Sequence, residues 1–442
     1  MLRAFSSFGL RSYSPHSRLC TPRHLPPTHR SFSFTPNFRL PRIPRSAVDP
    51  PPLPSFRKEV NRAAPEPTFS DGVKAPSIRN QVMFFIFGSF VVYQLAARQT
   101  NIETAEWTKR LSESGVMWKF RAPSSDEMRR ARHFEFGKEL KAGLAKVQSV
   151  VEQWPSVLKN VAVWSYVQVF QPILDTSDGK RMAWTIGMAC TAVWMLWKIP
   201  RLEPFMRRSF THTPLSGLSY TLLTSTFSHS GIFHLVFNCM ALASFGSAAS
   251  VYMVKEQNVS PTGLTEANVK WHFLAFFVSA GLFSGLVSHI VKARMHFPRM
   301  VSLLRSDISA SVNAGRTTSA AAAFKAAASS EGAKGSAHRL LPSLGASGAI
   351  YAAVTLTALA FPETEVALIF PPTFPIPIQY GVGGLVLMDV LGVLRGWRYF
   401  DHWAHLGGAA FGIWYRYYGM RMWDMFRVAN LGPLLGQKKS GQ

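Results

Sequence analysis

Apolar residues gather along this chain in seven runs, at 81–97, 182–200, 232–254, 273–291, 344–361, 378–394 and 403–418, each nearly free of charge. A helix crosses ~30 Å of hydrocarbon with about 20 such residues. The pattern therefore predicts an all-α polytopic membrane protein with seven spanning helices, one standing in front of six. Trp184, Trp194 and Trp197 fall along the second run, where indoles serve as interfacial anchors.

Between the first two runs lies a polar stretch, 98–181. Within it, apolar positions over 134–174 recur with a helical period, which predicts one or two amphipathic helices on the membrane surface or in solvent. A second polar stretch, 293–342, is rich in alanine and low in complexity, and is expected to be a partly helical, loosely held insert. The expected layout is a leader over 1–75, an extra helix over 76–100, a connector over 101–181, a core over 182–420 carrying the insert 293–342, and a tail over 421–442.

Charge sharpens this picture. The chain has 442 residues and a formal net charge of +24. Nucleic acid is a poor match for that charge, because no stacking surface or zinc spacing accompanies it. Residues 1–48 hold eight arginines, many Ser, Thr and Pro, and no Asp or Glu, which is the pattern of a mitochondrial transit peptide. Loops 201–226 and 293–342 are basic, while 251–272 is balanced and 362–377 has two glutamates and no Lys or Arg. By the positive-inside rule the basic loops mark the matrix side. Only Cys20, Cys190 and Cys239 occur, too few for a disulfide framework or a metal set.

Polar side chains within apolar runs are costly and so point to function. Three clusters stand out. Ser347 lies in Gly345-Ala346-Ser347-Gly348, at the start of the fifth run. His405 lies at the start of the seventh, followed by Gly408 and Gly412 at the spacing that permits close helix packing. His234 and Asn238, four apart and hence on one helix face, open the third. Each has a bland alternative, since serine, histidine and asparagine also cross-link membrane helices. Their common depth on one side favours an assembled site: a serine nucleophile, a histidine base and two oxyanion donors joined by the Ser347 N–H. His402 is expected to be exposed, and Asp401 to lie too near the surface to orient His405, so a dyad is expected rather than a triad.

These motifs, H-x-x-x-N at His234 and Asn238, G-x-S-G from Gly345 to Gly348, and A-H-x-x-G-x-x-x-G from Ala404 to Gly412, resemble the rhomboid family of intramembrane serine proteases. The resemblance covers about 182–420. It implies a six-helix core, with Ser347 as nucleophile, His405 as base, His234 and Asn238 as oxyanion donors, and Tyr351 stacked on His405. His229 matches a further histidine of structural or water-handling role. One helix before six, together with the leader, resembles the mitochondrial branch. That branch resides in the inner membrane and cuts other membrane proteins there, a dynamin-like GTPase in fungi. Transmembrane substrates and lipid are the implied partners, with no metal and no cofactor. A catalytically inactive rhomboid-like scaffold and a multi-pass transporter are the rival readings. The loop after the second run lacks the Trp-Arg pair many rhomboids carry.

Overall fold

A computed structural model describes residues 75–114, 121–313, 340–367 and 374–431. Nearly all of the expected leader, just over half of the alanine-rich insert and half of the tail lie outside the described residues. A long helix α1 (Ile78–Ser114) comes first. Helix α2 (Ser125–Val150) starts at a capping box, in which Ser124 Oγ accepts from the Glu127 N–H and Glu127 accepts from the Ser124 N–H. It forms a hairpin with α3 (Ser156–Leu174); helices thus stand over 134–174, but α1 runs on to Ser114, past its expected end at residue 100 and into the expected connector. Helix α4 (Asp178–Leu196) bends by 95° into a short segment ending in α5 (Glu203–Ser209). Pro200 and Pro204 lie at the bend, where neither can donate a helical hydrogen bond.

Helix α6 (Ile232–Ala241) runs through a π turn into α7 (Ser247–Asn258), and α8 (Lys270–Val291) runs likewise into α9 (Phe297–Asn313). Then come α10 (Ser347–Ala360), a two-stranded antiparallel pair of β1 (Glu365–Val366) and β2 (Ile376–Pro377), and α11 (Ile378–Arg395). Helix α12 (His402–Trp414) continues through a last π turn into α13 (Met420–Ala429).

Helices stand at all seven positions that the apolar pattern marks, but they are not seven equal spans. Among the described residues four are long and apolar enough to cross a membrane, and the bent pair raises this to five. The exception that matters is α10. Its 14 residues rise only about 21 Å at ~1.5 Å each, short of the ~30 Å a span requires. It can be short because it is walled in by protein: Ala349, Ala352, Ala353 and Leu356 are all buried. The outer surface is apolar instead, with Met83, Phe87, Phe233, Phe237 and Leu387 exposed, as lipid-facing helices require.

Helix α8 is central and packs on α1, α10 and α12. Phe85 of α1 meets Phe283 with ring centroids 5.5 Å apart. The tightest contact joins α10 and α12 through glycine. A Cβ on Gly408 would collide with the Gly348 carbonyl, and one on Gly412 would meet the Ala352 carbonyl oxygen at 2.5 Å. The polar end near α2 is pinned by Arg427, which donates to Glu266 at 3.2 Å and to the Thr265 carbonyl at 2.8 Å.

At the opposite end, His212 and Ser343 exchange backbone hydrogen bonds, both 2.9 Å, which straps the chain just ahead of α10. The buried His212 ring sits between Thr221 Oγ1 at 2.8 Å and His289 Nδ1 at 2.9 Å. Burial, then His289 and Lys292, push its pKa down to about 3.

Two outcomes are expected. Gly408→Val should separate α10 from α12 and lower the melting temperature in detergent, whereas Gly383→Ala, with open space around its Cα, should not. Because a free imidazole titrates near ~6.5, the unfolded chain binds a proton at His212 that the folded chain refuses. The stability this gives is fully present above ~6.5 and declines as pH falls toward about 3. Denaturation midpoints measured between neutral and acidic pH should show that decline, and His212→Asn should flatten part of it.

Candidate active site

The serine is set by its backbone. Gly345 adopts φ +126°, a conformation that strains any residue with a Cβ, and its N–H is held by the Ser225 carbonyl at 2.9 Å. A Cβ there would also meet His234 Cε1 at 2.9 Å. The turn ends at Ser347, the first residue of α10.

Ser347 Oγ lies 3.0 Å from His405 Nε2. The Tyr351 ring, one turn further along α10, stacks on the imidazole with centroids 5.0 Å apart and planes 9° from parallel. The sequence expectation that these three residues meet thus agrees with where they lie. The other ring nitrogen of His405 was expected to have no carboxylate, and here the structure differs. His405 Nδ1 lies 3.1 Å from Asp389 Oδ1, on α11. Asp389 is fully buried and also accepts from the Tyr351 hydroxyl at 2.5 Å and from His402 Nδ1 at 2.6 Å. With Nδ1–H facing a carboxylate, Nε2 is left to accept a proton from Ser347. The sequence carried a signal for Asp389, as the only charged residue in the run 378–394.

His402 also departs from expectation. It is buried, because Trp397, Phe400 and Asp389 cover it. Asp401 does not touch the His405 ring, as expected, yet it is not idle. It caps α12 by accepting from the Ala404 N–H at 3.2 Å. It also accepts from Ser288 at 2.6 Å, Lys292 at 2.8 Å and Ser343 at 2.5 Å. Burial alone would raise its carboxyl pKa. Lys292 and the hydroxyls of Ser288 and Ser343 outweigh that and hold it well below the usual carboxylate range. Ser343 and Asp401 each stand four residues ahead of Ser347 and His405. Their hydrogen bond is therefore a second tie between the same two chain segments.

The proposed oxyanion donors are divided. His234 lies beside Gly345 and close to Ser347, with His229 edge-on to it at 5.0 Å. His229 Nε2 accepts from the Ala346 N–H at 3.5 Å, which places it as a buttress of the serine turn. Asn238 is not aimed at the serine. Its amide donates to the His234 carbonyl at 2.7 Å, on its own helix. Gly345, Gly348, Gly408 and Gly412 all lie at the close approaches that bring the clusters together. Among the described residues no group of three His, Cys, Asp or Glu is arranged to hold a metal ion.

Comparison with known proteins follows the same residues. The family profile described as Rhomboid domain matches residues 217–422, which include every residue of this site. The mouse protein named "Presenilin-associated rhomboid-like protein, mitochondrial" is 33% identical over 244 residues, 55% of this chain and 50% of its own length. The human protein of that name is 33% identical over 246 residues, with the same shares. The yeast (Saccharomyces cerevisiae) "Rhomboid protein 1, mitochondrial" is 23% identical over 279 residues, 62% of each chain. The chain spans about half the length of the mammalian relatives it matches. The serine turn, the histidine helix and the H-x-x-x-N helix all gather inside the matched segment, and residues 217–422 are a rhomboid domain.

Proposed function

We propose that this protein is an intramembrane serine endopeptidase of the mitochondrial inner membrane, cutting transmembrane segments of other membrane proteins. The observation that carries the reading is the continuous line Ser347 Oγ, His405 imidazole, Asp389 carboxylate, with steps of 3.0 and 3.1 Å. A serine hydroxyl is a weak nucleophile at neutral pH and needs an oriented base. Tyr351 and Asp389 together fix the orientation of that base.

The chemistry runs in two halves. His405 Nε2 takes the Ser347 proton as Oγ attacks the scissile carbonyl. The imidazolium so formed faces the Asp389 carboxylate, which stabilises it without itself taking the proton. The oxyanion meets His234 and the Ser347 N–H, which as the first in α10 has no carbonyl partner within the helix. Asn238 joins them only after releasing the His234 carbonyl. His405 then protonates the leaving amine, and water hydrolyses the acyl-enzyme.

A substrate helix must unwind to offer a peptide bond here, and water must reach Ser347 from the polar end bearing Asp401 and Lys292. The basic loops favour the matrix side for that end. The leader over 1–75 would direct the chain to the mitochondrion, where relatives bearing that word in their names reside. A dynamin-like GTPase is the substrate class that the family resemblance favours.

The test is cleavage of a transmembrane segment by purified protein in detergent or proteoliposomes. Ser347→Ala and His405→Ala should abolish it, and His234→Ala should lower kcat by about 10²–10³-fold. Asp389→Asn should lower kcat by about 10²–10⁴-fold with little change in KM, since it spoils the tautomer rather than binding. Cleavage that survives Ser347→Ala would remove the serine from the chemistry. Full activity in Asp389→Asn would return the site to a dyad.

A further inference from the structure

Hairpin α2–α3 takes no part in the site, and its surface is unusual. One face of α3, carrying Tyr166, Phe170 and Leu174, packs on α2. Tyr166 donates to the Leu140 carbonyl at 2.8 Å, and its ring lies 4.4 Å from that of Phe170. The side turned away carries Val157 and Val161, 71% and 54% exposed, interrupted by the exposed Ser165 and Gln168; Trp164, 62% exposed, lies at its edge, beside a groove shared with Gln148 and Ser149 of α2. Leu158 and Val169 widen the strip, and both are more than half exposed. Within α3 the only charged residue is Lys159, which lies on the side toward α2 and is partly covered. Charge collects instead on α2, where Glu135, Lys138, Glu139, Lys141 and Lys146 are exposed, Lys141 at the edge of the groove against α3. The hairpin is thus a slab with an apolar sole and a charged roof.

Its place in the chain says what the sole meets. Helix α2 is tied to the polar end of the bundle, with Ser125 Oγ accepting from the Glu266 N–H at 2.9 Å and Arg132 bonded to Asp178 at 2.6 Å. Asp178 is the first residue of α4, and only residues 175–177 separate it from the end of α3. Helix α3 therefore stops where α4 enters the membrane. Trp184, nearly two turns into α4 with Lys180 above its ring at 5.8 Å, marks that level as an interfacial anchor. At 19 residues α3 has the length to cross, yet it is not among the helices apolar enough to do so. An apolar strip of valine, leucine and tryptophan on a helix too polar to span, joined directly to a spanning helix, belongs in the boundary between headgroups and acyl chains.

We propose that α3 lies along the bilayer surface on the side opposite the basic loops, with Val157, Val161 and Trp164 in lipid and the charged side of α2 in water. The occupant is lipid itself, and the inference does not depend on the catalytic reading.

The experiment uses the full chain in phosphatidylcholine nanodiscs, with Cys20, Cys190 and Cys239 replaced by alanine. Single cysteines at Val161, Trp164, Lys138 and Lys141 carry an environment-sensitive fluorophore. Val161→Cys and Trp164→Cys should be quenched by acyl-brominated lipid at least about twofold more than Lys138→Cys and Lys141→Cys, from a depth of roughly 5–10 Å. Iodide should quench in the reverse order. Equal iodide quenching at all four positions puts the hairpin in water and overturns the proposal. Shielding of Val161→Cys and Trp164→Cys from both quenchers also overturns it, in favour of a protein partner or a second copy of the chain.

Discussion

The site depends on how closely two helices approach. Ser347 and His405 lie on α10 and α12, and their atoms meet at 3.0 Å only because backbone passes against backbone at Gly348, Gly408 and Gly412. A single methyl group at Gly408 would occupy the space of the Gly348 carbonyl. In a membrane, where apolar burial gives helices little reason to prefer each other over lipid, such close packing is a principal source of association. The packing that stabilises the fold is therefore also what brings Ser347 and His405 within reach of each other.

Around that contact the polar groups form a ladder. One rung is Ser347 with His405. The next is Ser343 with Asp401, four residues ahead on each chain segment and reinforced by Ser288 from α8 and Lys292 just after it. A third element, α11, supplies Asp389, which holds His405, His402 and Tyr351 at once. Carboxylates taken out of water are costly unless fully partnered; Asp389 is fully buried and Asp401 partly so, and both have three or more donors. That expense fixes the relative register of four elements: α8, α10, α11 and α12.

Much of this was legible in the sequence. Seven apolar runs mark seven helix positions, and the three polar motifs name the residues that converge. Helical period also marked helix over 134–174, though not the hairpin that α2 and α3 make of it. What the sequence concealed was tertiary. Asp389 was signalled as a lone acid in an apolar run, but its pairing with His405 crosses a chain reversal that no periodicity records. His402 reads as exposed from its place at a helix start, whereas Trp397 and Phe400 fold over it. Span lengths were overread because α10 is enclosed by protein and need not cross the bilayer. Asn238 shares a helix face with His234, as its spacing requires, yet its amide chooses a backbone carbonyl four residues back.

The most direct measurement of whether His405 activates Ser347 is covalent labelling by a fluorophosphonate, read by intact mass and peptide mapping. One adduct, on Ser347, forming in the unaltered protein and lost in His405→Ala while the melting temperature stays unchanged, is the expected result. An unaltered, folded protein that gains no adduct at Ser347, or a His405→Ala variant labelled at the same rate, would contradict it.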